Sequence, residues 1–324
     1  MKKQHDTTLD IVRVFCILWV ICVWHFSAYL GHTSSNDIVY FLEDPPTYAA
    51  LGTFFLISGY LLNQKYTIHS KHDAWTFLKR RWLRIYPLYF AAVLFYLLTN
   101  IISTVHFIKG ALGLGIFNQP MTDTLWFVEV IMLYYIIFVI VWSSSRKRII
   151  IKSLLLFFAI ILMAQNFEID PRFILYYPFY ILGMLTPPFI IRKICNNLPL
   201  AFISTLVFVI CYFIPEPSGW MFNVLYSIRI LAGLIIIFCV SHSCASFINH
   251  SSKYLKWLGA AAYLSMAAYM FHRQIIIIFY HLWWPADKFL LAVYFFTVIF
   301  PVIFLLSYFI QSSYDKLLAK ITSH

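Results

Sequence analysis

Three ionisable side chains fall inside one apolar stretch near the start of the chain. Asp10, Arg13 and His25 lie in LDIVRVFCILWVICVWH, residues 9–25, where a plain membrane anchor would carry no charge. An ionisable group in a bilayer costs about 3 kcal/mol unless it faces protein or water, so its presence is a functional hypothesis by default. His25 follows Arg13 by twelve positions, roughly 18 Å along a helix that rises about 1.5 Å per residue. One helix therefore carries two polar stations, a guanidinium suited to anions and an imidazole suited to proton transfer near neutral pH. Plainer readings stand beside this one: Arg13 snorkels to the headgroups, and His25 satisfies a helix-packing contact.

Residues 73–85, DAWTFLKRRWLRI, hold a second group. Trp75, Leu78, Trp82 and Ile85 repeat at helical spacing, which predicts an interfacial helix with its cations on the other side. Arg80, Arg81 and Arg84 can converge on one face and fork onto phosphate oxygens, or simply anchor the cytoplasmic side. Ser58 and Gly59 are small residues in mid-span that allow close helix approach. Glu129 and Arg229, each one to two turns from the outer end of its span, could form a buried ion pair. His272, beside Arg273, lies at nearly the depth of His25 and either lines a pocket or makes a helix-packing contact. His106 reads as interfacial. The chain has no Gly-rich phosphate loop, no GxSxG nucleophile and no paired carboxylates, and the glycines at 113 and 115 are too weak a signal to use. Six cysteines without metal-ligand spacing argue against disulfides and against a metal site.

The elements that carry these groups follow from composition. With 62% hydrophobic and 11% charged residues and a mean hydropathy of +0.79, the chain is too apolar for a soluble domain. The expected fold is all-α, a polytopic membrane helix bundle of about ten transmembrane helices. Candidate spans are 9–30, 46–63, 85–108, 125–142, 149–165, 173–191, 199–214, 222–243, 258–281 and 289–310. The short connections predict one domain over residues 1–324 with no appended soluble domain. The first run is interrupted by Arg13 and lacks a cleavage site, so it reads as retained. With Met1 inside, most basic residues, among them Lys2, Lys3, Lys79, Arg146, Lys147, Arg148 and Lys253, fall in cytoplasmic segments. Asp37, Glu43, Asp44, Asp123, Glu168, Asp170, Glu216 and Asp287 then fall outside. Both termini are cytoplasmic on this reading. The net charge of +11 is an orientation signal and gives no reason to expect nucleic acid as a partner.

Five ordered motifs carry a family resemblance. Leu9-Asp10-Ile11-Val12-Arg13 with His25; Phe54 to Tyr60; Phe77 with Arg80, Arg81 and Arg84-Ile85-Tyr86-Pro87; Leu125-Trp126-Phe127; and Ser265 with Tyr269, Phe271 and His272 together resemble the acyltransferase-3 family of bacterial integral-membrane acyltransferases. The resemblance implies a membrane O-acyltransferase of the bacterial cytoplasmic membrane. Its donor would be cytoplasmic acyl-CoA, acetyl-CoA foremost, and its acceptor a hydroxyl of an envelope glycan or lipid-linked saccharide. His25 would be the general base with Arg13 beside it in catalysis; Arg80, Arg81, Arg84, Ser58 and Tyr60 would belong to the donor site. His272, Arg273 and Trp126 would belong to an acceptor pocket. Histidine suits the removal of a hydroxyl proton during acyl transfer. Thr124 stands where some relatives have histidine, and Glu129 does not match the spacing of their functional glutamate. The rival class is a transporter or exporter of an envelope glycan, though paired broken helices and internal repeats are not seen in the sequence.

The first helix departs from the pattern of the family it resembles by one residue. Ten residues between arginine and histidine, the family's usual spacing, bring the two within ~20° around a helix at about 100° per residue; eleven, as here, turn His25 to ~120°. A π-bulge absorbs one residue. The spacing therefore predicts an i to i+5 irregularity, around Cys16 to Cys22.

Overall fold

The computed structural model describes residues 6–29, 37–117, 124–249 and 251–322. Lys2, Lys3 and Asp123, used in the orientation reading, lie outside the described residues, as do residues 31–36 and the side chains of Asp37 and Glu43. The chain is 85% helix, with no strand among the described residues. Among the described residues, four helices are long and apolar enough to cross a membrane: Thr7–Tyr29, Trp220–Ile248, Lys253–Leu282 and Lys288–Ile321. A bent pair, Pro171–Leu185 with Pro188–Cys195, adds a fifth. This makes the chain a multi-pass membrane protein. The other expected spans also fall on helices, but Trp126–Val141 has 16 residues and Leu198–Tyr212 has 15. At 1.5 Å per residue these reach only about 24 Å, short of a ~30 Å hydrocarbon core.

The helices fall into two compact units, residues 1–62 with 175–265, and 63–174 with 266–324. The first holds α1 (Thr7–Leu18), a π segment (Trp19–His25), α2 (Phe26–Tyr29) and most of α3 (Asp37–Lys65). It also holds most of α8 (Pro171–Leu185), with α9 (Pro188–Cys195), α10 (Leu198–Tyr212) and α11 (Trp220–Ile248). Apolar on nearly every side, α11 packs against α1, α9 and α10 and still leaves Trp220, Ile228, Val240 and Phe247 exposed. The expected close approach at Ser58-Gly59 is present. A Cβ on Gly59 would lie 2.1 Å from the Tyr180 carbonyl oxygen, and one on Gly183 would lie 2.0 Å from that of Leu56, so α3 and α8 meet backbone to backbone. A polar tie holds the start of α1: Thr8 Oγ1 is 3.3 Å from His242 Nδ1, and His242 Nε2 is 3.1 Å from Asn196 Oδ1.

The second unit holds α4 (Lys71–Leu98), α5 (Thr104–Ala111), α6 (Trp126–Val141) and α7 (Arg146–Ala164). To these it adds most of α12 (Ser252–Leu282), then α13 (Lys288–Tyr294), a second π segment (Phe295–Ile299) and α14 (Phe300–Thr322). One expectation is corrected here. The interfacial helix over 73–85 and the span beginning at 85 form a single 28-residue helix, α4. A capping box starts it: Asp73 N–H donates to Ser70 Oγ, and the Asp73 carboxylate accepts from the Ser70 and His69 N–H groups at 2.9 and 3.1 Å. Nothing in the basic stretch interrupts the helix. Of the expected stripe, Trp75 and Trp82 are exposed, Leu78 is half-buried and Ile85 is buried, so the stripe turns into the protein at its far end. It ends at Leu98, next to the left-handed Asn100 (φ 56°), so His106 lies on the separate helix α5.

Candidate active site

Asp6 caps α1 by accepting from the Leu9 N–H at 3.4 Å. One turn further, Arg13 Nη1 donates to Asp10 Oδ1 at 3.4 Å; the Asp10 carboxylate is buried, whereas the Arg13 side chain is one-third exposed. A guanidinium has five N–H donors, so this bond orients Arg13 without exhausting it. Beyond Leu18 the helix widens. Trp19–His25 is π-helical, and the Phe26 N–H bonds to the Ile21 carbonyl, five residues back. The irregularity required by the spacing is thus present, beginning within the expected stretch and running on to His25 itself. Absorbing one residue turns His25, half-buried and the last residue of the π segment, back towards the face of Arg13. In the same unit, half-buried Ser58 and buried Tyr60 flank Gly59 on α3.

The arginine cluster of the second unit is divided in its surroundings. Arg81 is half-buried, its guanidinium 4.9 Å from the ring centre of Tyr66, 5.6 Å from Tyr135 and 5.8 Å from Phe77. Cation–π contact of this kind is worth about 0.5–2 kcal/mol. Arg84 is exposed. Arg80 is exposed too, and it lines an open cavity of about 220 Å³ with Tyr66, Thr67, Ile68, His72, Asp73, Thr76 and Phe77.

A buried polar assembly surrounds the first turn of α6. Glu129 accepts from the Tyr89 hydroxyl at 2.7 Å, and the same hydroxyl lies 2.7 Å from the Gly110 carbonyl oxygen. The backbone N–H groups of Gly115 and Ile116 also turn towards the carboxylate. A Cβ on Gly115 would stand 2.8 Å from Glu129 Oε2, so only glycine fits. The expected Glu129–Arg229 pair is replaced by separate arrangements. Arg229 donates to the Cys211 and Ile214 carbonyls at 2.9 and 3.3 Å and lies 3.6 Å from Glu216. Matching depth in two spans did not set which way either side chain faced.

Buried Trp126 lies under Arg172, whose guanidinium is 4.3 Å from the ring and holds Asp170 at 2.7 Å. Thr124, a β-branched residue at φ 63°, sits in a sparsely populated conformation. Its hydroxyl is 3.1 Å from the Tyr96 hydroxyl, and its carbonyl accepts from Tyr269 at 2.5 Å. His272 is fully buried, with Nδ1 2.7 Å from the Tyr269 carbonyl oxygen and 3.1 Å from that of Ala268. Carbonyls only accept, so Nδ1 carries the proton and Nε2 the lone pair. Its neighbour Arg273 is half-buried.

One family model matches nearly the whole chain. That of acyltransferase-3, described as an acyltransferase domain, covers residues 6–311. The chain belongs to this family. No curated protein and no solved structure matched it. Membership in the acyltransferase-3 family implies an acyltransferase, with membrane acyl transfer to a carbohydrate as the suggested activity. Two features of this acyltransferase-3 chain escaped sequence reasoning. Arg172 over Trp126 and Gly115 at Glu129 both depend on connections far away in sequence. The glycine at 115 was the one available signal.

All six cysteines are free. No cluster of metal-ligating side chains occurs among the described residues.

Proposed function

We propose that the protein is an O-acyltransferase of the bacterial cytoplasmic membrane that moves an acyl group, acetyl foremost, from cytoplasmic acyl-CoA to a hydroxyl of an envelope glycan or lipid-linked saccharide. The observation that carries this reading is the π segment Trp19–His25, which recovers the arginine-to-histidine register of the family despite one extra residue. His25 takes the acceptor hydroxyl proton as the oxygen attacks the thioester carbonyl. The carbon–sulfur bond breaks, and the departing thiolate recovers a proton from the imidazolium. Arg13, oriented by Asp10, steadies the acyl end of the donor, and Arg80, Arg81 and Arg84 hold its phosphates. Ser58 and Tyr60 serve the donor. Trp126, Arg273 and His272 serve the acceptor side, with His272 in the wall that fixes Tyr269. About ten spans with both termini cytoplasmic complete the proposal, and it treats the matched chain as one catalytic domain.

The exporter reading draws on a specific feature, the 108° break between α8 and α9 at Pro187-Pro188. Transport folds pair such breaks in corresponding halves, and this is the one bent pair among the described residues. Labelled acetyl-CoA supplied to purified protein in vesicles with an envelope glycan separates the two. Labelled glycan with release of CoA supports the acyltransferase; glycan movement without label supports the exporter and overturns the proposal.

A further inference from the structure

In the first unit one hydroxyl stands between two carboxylates. The Tyr226 hydroxyl lies 2.8 Å from Asp44 Oδ2 and is also in hydrogen-bond contact with Glu216 Oε1. A phenol carries a single proton, so it donates to one carboxylate and must accept from the other, which then holds a proton of its own. Surroundings decide which one. Asp44 is buried in α3, where an ionised carboxylate is costly. Glu216 is exposed on the connection between α10 and α11 and lies 3.6 Å from Arg229 Nη1, so the nearby cation favours its charged form. The groups that face the hydroxyl with charge are thus Asp44 from α3, Glu216 from the connection and Arg229 from α11. Tyr48 of α3, 4.6 Å from the Tyr226 ring, and Tyr176 of α8, 6.2 Å from Tyr48, add phenols. Arg229 also offers Glu216 a second partner. Its Nε and Nη2 are engaged by the Cys211 and Ile214 carbonyls at the end of α10, whereas Nη1 has no hydrogen-bond partner among the described residues.

We infer that Asp44, Tyr226 and Glu216 form a proton-dependent latch that ties the connection between α10 and α11 to α3, on the outer side in the orientation proposed above. With Asp44 protonated, its O–H donates to Tyr226 and the phenol donates to Glu216. When the pH rises and Asp44 gives its proton to water, the phenol turns its only proton to the new carboxylate. Glu216 then loses its donor, meets a second negative charge and moves to Arg229 Nη1. Gly219, left-handed at φ 66° and with nothing within 4 Å of where a Cβ would stand, lets the connection follow. The stability supplied by this proton is therefore present at low pH and lost as the pH rises through the value at which Asp44 ionises in the folded protein.

The test uses the full chain in lipid nanodiscs at about pH 5 and about pH 9. Infrared spectra should show the C=O stretch of a protonated carboxyl that fades at the higher pH, is kept by Glu216→Gln and is removed by Asp44→Asn. Amide exchange over residues 213–219, corrected for its intrinsic pH dependence, should rise about tenfold between the two values in the wild type. In Asp44→Asn, whose amide donates to Tyr226 at either pH, it should stay at the low-pH level. Tyr226→Phe keeps the ring and lacks the hydroxyl, so its connection should exchange fast at both values. A band that Asp44→Asn leaves in place, exchange that follows pH equally in the wild type and Asp44→Asn, or slow exchange at low pH in Tyr226→Phe would each overturn the latch.

Discussion

Among the described residues two helices contain a π segment, and one of the two has a local chemical cause. In the second, Phe295–Ile299, the Phe300 N–H bonds five residues back to Phe295, and Pro301 follows at once. A proline ring lacks the N–H and crowds the carbonyl four residues before it, here Thr297, so a wider turn relieves the clash. In the first, Trp19–His25 reads WVICVWH and contains neither proline nor glycine. No side chain forces that turn. What it does accomplish is register: a half-buried imidazole is brought round to the face of Arg13. The contrast teaches that an irregular helix is informative about function when its sequence gives it no reason to be irregular.

The contrast can be broken at its strongest point. His25→Ala should lower acyl transfer by about 10²–10⁴-fold with the apparent KM for acyl-CoA little changed, since a general base contributes on that scale and the proposal gives the donor phosphates to other residues. Near-normal turnover would leave the first π segment as unexplained as it looks from its sequence. His272→Ala sharpens the comparison. That imidazole is sealed on a regular helix, so its loss should appear as about 1–3 kcal/mol of stability from the cavity left by a fully buried ring, followed by thermal melting, with kcat of the folded fraction within about tenfold of wild type. A kcat loss equal to that of His25→Ala would make His272 the chemical group.

Smaller effects are expected where the distortion is structural. Pro301→Ala removes the cause of the second π segment, and amide exchange over 295–299 should slow as that turn becomes α-helical. Stability should change by about 1 kcal/mol or less, and transfer should be unaltered; persistence of fast exchange would show that proline was not the cause. The smallest effect concerns the cap of α4. The Ser70 hydroxyl and the His69 and Ser70 N–H groups hold the Asp73 carboxyl below its ordinary value. Its contribution is therefore present above that ordinary value and lost only as the pH falls through the lowered one. Asp73→Asn should lower the melting point slightly at neutral pH, with the difference from wild type shrinking as the pH falls through the lowered value; a difference that stays the same at every pH would show that the charge is not its cause.

How much of this was legible in the sequence depends on whether a feature is carried by one helix or by several. The π segment was legible because a single count of positions between Arg13 and His25 conflicts with helical geometry. The close approach at Gly59 was legible as well, although its partner Gly183 was not, since residue size reveals a contact and gives no address for it. The pairing of Glu129 with Arg229 failed because depth along a span leaves rotation about its axis undetermined. Tyr89, on another helix, donates to Glu129, and Gly115 and Ile116 approach it from a connection. The continuity of α4 was hidden by its composition. A basic, tryptophan-rich stretch followed by an apolar one suggests two elements, and only the capping box at Ser70 shows where the one helix starts.

The central claim is that the extra residue in the first helix is absorbed so that His25 can act beside Arg13. Deleting Val20 leaves ten residues between them and permits a regular α-helix, whereas inserting one alanine at that point leaves twelve. The measurement is the initial rate of labelled acetyl transfer from acetyl-CoA to glycan by the two variants at equal amounts of folded, inserted protein. The deletion should keep transfer within about tenfold of wild type, and the insertion, which misplaces the imidazole, should lower it by about 10²-fold or more. Equal losses in both, or an insertion that transfers normally, would contradict the claim.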